Sequence, residues 1–337
     1  MRIRVRAPLR IDFAGGVTDA RPFARRFGGA VVAAAVDLRV HADLLLGDRR
    51  IRLHDRDSDE HVTVPSSDRI AFDGRLDVHK WALTMLPVTG GIEILTRCDA
   101  PLGSGLGCEG GLTVALLAGL ARAREEAYAP EELAALACEA VERGIGPPAG
   151  ANDAYAAALG GLRHLVFGGG GVEVRPLAPA PDVLADLHRH VVLVYTGRSH
   201  FTEATARRVW KAVEADDPSV VGALSRMREL VEPAAAALRD ADWRRLADVM
   251  DEHWRAHRTL DGTMATSRMA AVEEAAWRAG AWGMKATGAG AGGCLVAVCA
   301  PDRRPAVVAA VQVAGGRVLD AAFSDRGVEV EEEDAGA

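Results

Sequence analysis

Aromatic residues and excess positive charge are both scarce in this chain. Phe, Trp and Tyr make up 5% of its 337 residues, so a broad aromatic platform for stacking sugars or bases is not evident. The formal net charge is -7, and the arginines are scattered among carboxylates. A general nucleic-acid binder needs a dense basic surface, so we expect no nucleic-acid partner.

Paired cysteines and long apolar runs are also lacking. None of the five cysteines forms a C-x-x-C pair, which disfavours a zinc site or a disulfide framework and predicts core thiols. No apolar run reaches the roughly 18 residues of a membrane span. Residues 1–16 alternate charged and apolar side chains, unlike a signal peptide. We therefore expect a cytoplasmic protein with no membrane partner; the sequence leaves a homodimer open.

The pattern of apolar residues predicts a mixed α/β chain. Residues 1–14 alternate as a strand does, with Ile3, Val5, Ile11 and Phe13 as candidate core residues. Further strands are predicted in segments 28–47, 91–101 and 190–197, and a helix over about 130–143. About 80 residues from 201 to 280 read as helices with breaks near 217–218, 240–242 and 261–262. We predict two domains, 1–180 and 181–330.

A glycine-rich loop, "APLGSGLGCEGG", leads into an Ala/Leu-rich helical segment after the strand at 91–101. Glycines let successive backbone N–H groups converge, and a helix N-terminus adds positive charge, so such a junction is typical of an anion site. It is not the G-x-x-x-x-G-K-[ST] loop, since it has no adjacent lysine. A tight strand-to-helix turn without ligand is the alternative.

Two other stretches, "APLRIDFAGGVTD" near the start and "KATGAGAGGCLVAV" near the end, complete a three-motif pattern. The pattern resembles the GHMP kinase superfamily over almost the whole chain. "RIDFAGGVTDARPFARRFGGAVVAAAVDL" and "YTG" are most similar to its kinases of heptose 7-phosphate. The resemblance implies two α/β lobes, an N-terminal one like the second domain of ribosomal protein S5 and a ferredoxin-like C-terminal one. It also implies an ATP- and Mg²⁺-dependent kinase of a sugar or sugar phosphate, with the anomeric hydroxyl as the first candidate acceptor.

The same resemblance implies roles for individual residues. Asp153 would be the catalytic base or orienter, and Arg10 would lower its pKa and steady the transferred phosphoryl group. Thr18 and Asp19 would hold sugar hydroxyls. Two glycine loops would bind the ATP phosphates, and their residues are Pro101, Gly103, Ser104, Gly105, Leu106, Gly107, Cys108, Gly288, Ala289 and Gly290. Read without the motifs, Asp153 would instead cap the helix that begins "AYAAAL".

The chain departs from the family where two serines are usual, because it has Cys108 and Glu109 there. Glu109 is interpreted as a Mg²⁺ ligand together with Glu142, since Mg²⁺ prefers oxygen ligands. In the alternative interpretation, Glu109 repels the triphosphate and the chain is a non-catalytic relic that binds sugar or nucleotide. Cys108 is expected to fill space at the loop.

The acceptor stays open at this point. "TGRSH" places Arg198 after a strand end, where its guanidinium would hold the phosphate of a sugar phosphate. Unphosphorylated sugars and cyclitols are the alternatives, and kinases of this kind also serve natural-product pathways. An acceptor screen would separate them.

His253 and His257 lie four residues apart in a helical segment, so they would share one face. A metal site there would need a third ligand, and the sequence offers no candidate. We therefore expect both to be solvated helix residues.

Overall fold

A computed structural model describes residues 1–48, 50–88, 91–145, 150–177, 181–197, 199 and 203–333. These residues form two lobes, each built on one sheet. The elements of the first part of the chain are β1 (Arg2–Ala14), α1 (Arg21–Phe27), β2 (Gly29–Asp48), β3 (Ile51–Asp55), β4 (Glu60–Val64), a 3-10 helix (Ser67–Arg69), α2 (Asp77–Met85), β5 (Gly91–Cys98), α3 (Cys108–Ala123), α4 (Pro130–Ile145), α5 (Asn152–Leu159), β6 (Leu162–Gly168) and β7 (Gly171–Leu177).

The second part of the chain is mainly helical and ends in short strands. Its elements are α6 (Pro181–His190), β8 (Val191–Tyr195), α7 (Glu203–Glu214), α8 (Pro218–Glu229), α9 (Val231–Arg239), α10 (Trp243–Arg258), α11 (Ser267–Ala279), β9 (Ala281–Ala286), β10 (Cys294–Cys299), α12 (Arg304–Val313), β11 (Arg317–Leu319) and β12 (Glu329–Glu333). The predicted breaks of the helical segment are confirmed, while the break between α8 and α9 was not predicted.

Strand β1 is buried on one face at its start and on both faces towards its end. Ile3, Val5, Ile11 and Phe13 are buried, as the alternation predicts. From Pro8 onward, however, every residue of β1 is buried on both faces. Arg10 and Asp12 lie on the second face of the strand, and their side chains contact β9 and the loop that follows it. The second lobe therefore packs directly on the polar side of β1.

Strand β2 organises the first sheet because its 20 residues pair with three neighbours. It runs antiparallel to β1 along most of its length, while its first half also pairs with β6 and its second half with β5. The eight-stranded sheet has the order β12-β1-β2-β5-β3-β4, with β6 on β2 and β7 on β6. The polar segment between 52 and 69, where the sequence fits either a hairpin or a surface loop, contains the hairpin β3–β4.

The second sheet has four strands in the order β11-β8-β10-β9, all antiparallel. Its chain order, a strand, helices, two strands, a helix and a strand, is the ferredoxin-like arrangement. The predicted fold class, two α/β lobes, is therefore confirmed. The boundary near residue 180 stays a prediction; strand β12 returns to pair with β1 in the first sheet.

No helix in the described part of the chain has both the length and the apolar character that a membrane crossing requires.

Candidate functional site

The loop between β5 and α3 has the backbone of an anion site. Gly103, Gly105 and Gly107 have φ values of 66°, 74° and 82°, which favour glycine. Gly107 directly precedes α3, and no side chain of the described residues caps that helix N-terminus. Its first N–H groups lack intrahelical partners, so they suit a phosphate.

Arg10 and Asp153 form an ion pair beside this loop. The Arg10 Nη2 atom lies 2.7 Å from Asp153 Oδ1, and its Nε atom donates to the same oxygen at 2.9 Å. Arg10 is buried, and its Nη1 donates to the Gly105 carbonyl at 2.5 Å. Burial alone would lower the pKa of Arg10, but Asp153 and Asp12 outweigh it and raise that pKa. The pair thus ties a carboxylate to the loop backbone.

Helix α5 delivers Asp153 to this position without using it as a cap. The helix begins at Asn152 and its N-cap residue is Ala151, which makes no side-chain capping bond. A Cβ at Gly110 would lie 2.5 Å from the Asp153 Cβ, so the first turn of α3 packs against Asp153. The capping interpretation of Asp153 is therefore wrong.

The two predicted glycine loops meet backbone to backbone. A Cβ at Gly105 would lie 2.5 Å from the Thr287 carbonyl oxygen, and one at Gly288 would lie 2.7 Å from the Gly105 carbonyl oxygen. Gly288 and Ala289 are partly exposed, whereas Gly290 is buried. Side chains would force the loops apart, which explains the glycines at Gly105 and Gly288.

A buried ion pair that the sequence analysis missed joins the lobes beneath the loops. Lys285 Nζ lies 2.6 Å from Asp12 Oδ2, and both side chains are buried. Asp12 Oδ1 also accepts from the Thr287 hydroxyl at 2.7 Å and the Gly288 N–H at 2.9 Å. Burial favours the neutral acid, but Lys285 and Arg10 hold the pKa of Asp12 below its usual range. Lys285 begins the motif "KATGAG", and this position was the sequence signal that could have pointed to the ion pair.

Glu109 stands in the first turn of α3, next to Asp153. The residue as a whole is exposed. Partial desolvation of its carboxyl by neighbouring groups, and then the charge of Asp153, raises the pKa of Glu109. Two neighbouring carboxylates beside a glycine loop offer oxygen donors of the kind that Mg²⁺ prefers.

Glu142 lies elsewhere, against α1. Its Oε1 atom is 2.5 Å from Arg21 Nε. Among the described residues, the one group of three His, Cys, Asp or Glu ligands within metal-binding distance is His54, Asp59 and His61 on the β3–β4 hairpin. The predicted acidic residues Glu109, Glu142 and Asp153 therefore do not form such a group.

Thr18 and Asp19 are both buried, but only Asp19 is hydrogen-bonded to α5. The Thr18 hydroxyl is bonded to the carbonyls of Gly15 and Ala30 at 2.7 and 2.8 Å, so it holds a turn. Asp19 Oδ2 accepts from the backbone N–H and the side-chain amide of Asn152 at 2.8 and 2.7 Å. Burial raises the pKa of Asp19. Asn152 was not predicted from the sequence.

Cys108 packs against other small polar groups at the loop. Its Sγ lies 3.3 Å from Cys98 Sγ and 3.5 Å from the Ser104 hydroxyl. All five cysteines are free, but only Cys294 and Cys299 are fully buried. Arg198, the predicted phosphate contact, lies outside the described residues.

The expectation that His253 and His257 are solvated is wrong. Both are buried on α10, and their ring nitrogens have no hydrogen-bond partner among the described residues. Burial, and then the charge of Lys285, lowers the pKa of His257 to about 4. Helix α10 packs against β9, which hides this face.

Comparison with known proteins agrees with this geometry. Residues 77–161 match the family "GHMP kinases N terminal domain", and residues 234–315 match "GHMP kinases C terminal". The D-glycero-alpha-D-manno-heptose 7-phosphate kinase of Campylobacter jejuni is 28% identical over 335 residues, which cover 97% of this chain and 98% of that kinase. The mevalonate kinase of Thermococcus sibiricus is 28% identical, over 98% and 99% of the two chains.

A crystal structure of a D-glycero-D-manno-heptose 1-phosphate kinase from Bacteroides thetaiotaomicron has the same fold. It superposes with a TM-score of 0.81 at 24% identity, over 99% of this chain and all of that one. The two glycine loops and the two lobes agree with both domain matches and with this superposition. The chain therefore belongs to the GHMP kinase superfamily, whose members are ATP-dependent kinases.

Proposed function

We propose that this kinase transfers the γ-phosphoryl group of ATP to the anomeric hydroxyl of a sugar phosphate, with a heptose 7-phosphate as the first candidate. The substrate class rests on the similarity to the Campylobacter jejuni heptose 7-phosphate kinase along nearly the whole of both chains. The chemistry rests on one observation, the Arg10–Asp153 ion pair at the phosphate loop. We place the reaction in the cytoplasm, and a homodimer stays a prediction.

Asp153 would orient the acceptor hydroxyl and take its proton. Arg10 holds Asp153 Oδ1 in the described contacts, which leaves Oδ2 for the hydroxyl. Phosphoryl transfer depends mainly on positioning and on neutralising charge, so a fixed carboxylate is what the acceptor needs. Arg10 also places positive charge next to the loop that would bind the ATP phosphates, and it stabilises charge that develops there.

The backbone of the two glycine loops would hold the triphosphate. N–H groups at the start of α3 and in the Gly103–Gly107 loop offer several donors to one anion. The second loop touches the first at Gly105 and Gly288, so ATP binding would depend on both lobes. Pro101, Ser104, Leu106 and Cys108 would shape the loop, and Ala289 and Gly290 would continue the second one.

Glu109 would bind Mg²⁺ beside the phosphates, with Asp153 rather than Glu142 as its nearest acidic neighbour. Bound Mg²⁺ neutralises phosphate charge during phosphoryl transfer. Glu142 would instead act near the acceptor sugar, because Glu142 forms an ion pair with Arg21 on α1. The raised pKa of Glu109 fits this role, because a divalent cation would relieve the repulsion between the two carboxylates.

The relic interpretation is not favoured, because the ion pair, both glycine loops and their close packing are intact. An acceptor screen distinguishes a cyclitol from a sugar phosphate as the substrate. ADP release is measured with Mg·ATP and a heptose 7-phosphate, the free heptose, free hexoses and cyclitols. The proposal predicts turnover of the sugar phosphate, with a new phosphate on the anomeric carbon by ³¹P NMR. Turnover of a cyclitol alone, or of no acceptor, contradicts it.

A further inference from the structure

A pocket of about 300 Å³ opens beside Asp19, between α1, α4 and α5 and the β6–β7 hairpin. Its lining includes Asp19, Arg25, Glu142, Tyr155 and Phe167. The volume lies at the lower end of those known for small-molecule sites. Apolar and charged side chains share its wall, as they do in small-molecule sites generally.

The inner end of this pocket leads to the proposed catalytic residue. Asp19 is bonded to Asn152, which immediately precedes Asp153, and Asn152 Oδ1 also accepts from Arg10 Nε at 2.9 Å. A Cβ at Gly150 would lie 2.7 Å from Asp19 Oδ2, so a side chain there would collide with Asp19. A molecule that contacts Asp19 therefore lies beside the start of α5, the helix that carries Asp153, although Asp153 itself does not line the pocket.

Asp19 also has an unused acceptor. Its Oδ1 atom is buried and has no hydrogen-bond partner among the described residues. A buried carboxylate oxygen without a donor is costly, and a ligand hydroxyl would supply the missing hydrogen bond after a small local adjustment. This observation points to a hydroxylated ligand at the inner end.

The outer part of the pocket carries an exposed cation, Arg25. Arg25 makes no hydrogen bond or ion pair with any residue that the structure describes, whereas its neighbours on α1 are both engaged. Arg21 pairs with Glu142, and Arg26 pairs with Asp216 at 2.6 Å. Arg21 forms the ion pair with Glu142, and the charge of Arg25 also acts on that carboxylate, so two cations face one carboxylate and positive charge remains for an external anion. A guanidinium binds phosphate through two parallel hydrogen bonds.

We infer that Arg25 binds the phosphate group that the acceptor already carries, while Asp19 receives a hydroxyl of the same sugar. This assignment rests on the proposed function and adds the residue that selects a phosphorylated acceptor. An acceptor that spans the two contacts lies beside the start of α5, the helix that carries Asp153. Arg25 is therefore a substrate-binding residue, distinct from the groups that would hold ATP.

The test compares Arg25→Gln with Arg26→Gln, a neighbour on the same helix whose guanidinium is already paired. Each variant is assayed with a heptose 7-phosphate and with the free heptose. Loss of a phosphate contact should raise the KM for the sugar phosphate about 10- to 100-fold in Arg25→Gln, with kcat changed less than about threefold. The KM for the free heptose, and both constants in Arg26→Gln, should stay at wild-type values.

Calorimetric binding of the heptose 7-phosphate without ATP separates this inference from the proposed function. Weaker binding to Arg25→Gln than to the wild type supports the inference, whether or not turnover is seen. Equal KM and equal binding in the two proteins overturn it while leaving the kinase proposal intact. Absence of turnover in the wild type overturns the proposed function, and the binding comparison then still decides the role of Arg25.

Discussion

Arg10 is the residue on which the site converges. Its guanidinium contacts Asp153, the Gly105 carbonyl and the Thr287 hydroxyl, so it links α5, the first glycine loop and the second lobe. The segment "PLR" was enough to predict Arg10 as a site candidate. A separate motif was enough to predict Asp153. Asn152 and Asp12 carried no such signal, because their partners Asp19 and Lys285 are more than 130 residues away in the chain.

Glu109 provides the prediction at the residue scale. Glu109→Gln replaces the proposed carboxylate ligand by a neutral amide, which is a weaker ligand for Mg²⁺, and keeps the size of the side chain. The Mg²⁺ concentration for half-maximal activity should rise about tenfold, with a smaller change in kcat at saturating Mg²⁺. The measurement is a Mg²⁺ titration of the initial rate at fixed ATP.

Glu274→Gln is the control, since Glu274 pairs with Arg278 on the surface of α11. It should leave the Mg²⁺ requirement unchanged. If Glu109→Gln instead binds ATP more tightly and needs no additional Mg²⁺, Glu109 repels the triphosphate and is not a metal ligand.

At the scale of elements, local patterns predicted most strands and helices. Alternation in β1 and the glycine junction before α3 are encoded within a few residues, so both were predictable. The face of α10 was not, because His253 and His257 are covered by packing on β9 rather than by local sequence. Polar residues on a helix indicate exposure only when nothing packs over them.

The close contact of the two glycine loops gives a prediction for an element. In Gly105→Ala the new Cβ would meet the Thr287 carbonyl oxygen, and the φ of 74° is unfavourable for alanine. The loops must separate, so the KM for ATP should rise about tenfold or more. Initial rates over a range of ATP concentrations measure this.

Gly74→Ala is a matched control for backbone strain. Gly74 has a φ of 85°, but no described atom lies within 4 Å of the point that a Cβ there would occupy. The substitution should change stability slightly and leave the KM for ATP unaltered. Equal effects of the two substitutions would show that strain alone, not the contact between loops, matters at Gly105.

At the scale of the whole molecule, the lobes share a buried polar interface. Lys285 on β9 and Asp12 on β1 are both buried and bonded to each other. The chain also crosses back at its end, where β12 pairs with β1. Neither the cross-lobe ion pair nor the return of β12 was predicted, because both join residues at opposite ends of the chain and local periodicity does not encode such pairings.

Lys285→Met should destabilise the protein by about 3–5 kcal/mol, since it leaves Asp12 buried without its cation. Lys80→Met is the comparison: Lys80 is also buried, but its partners Asp73 and Asp77 are 54% and 18% exposed and can be rehydrated more readily than Asp12, which is 1% exposed. The free energy of unfolding from urea titration should fall much less in Lys80→Met. Similar losses in the two variants would contradict a special role of the cross-lobe pair.

The most direct test of the whole account is the rate of ADP formation by Asp153→Asn with Mg·ATP and a heptose 7-phosphate. Asparagine keeps an oxygen for Arg10 but cannot take the proton of the acceptor hydroxyl. The account predicts that kcat falls about 100-fold or more, while calorimetric ATP binding and the thermal unfolding midpoint stay close to wild type. A rate within about tenfold of wild type, from a folded variant that binds ATP, would contradict the assignment of Asp153.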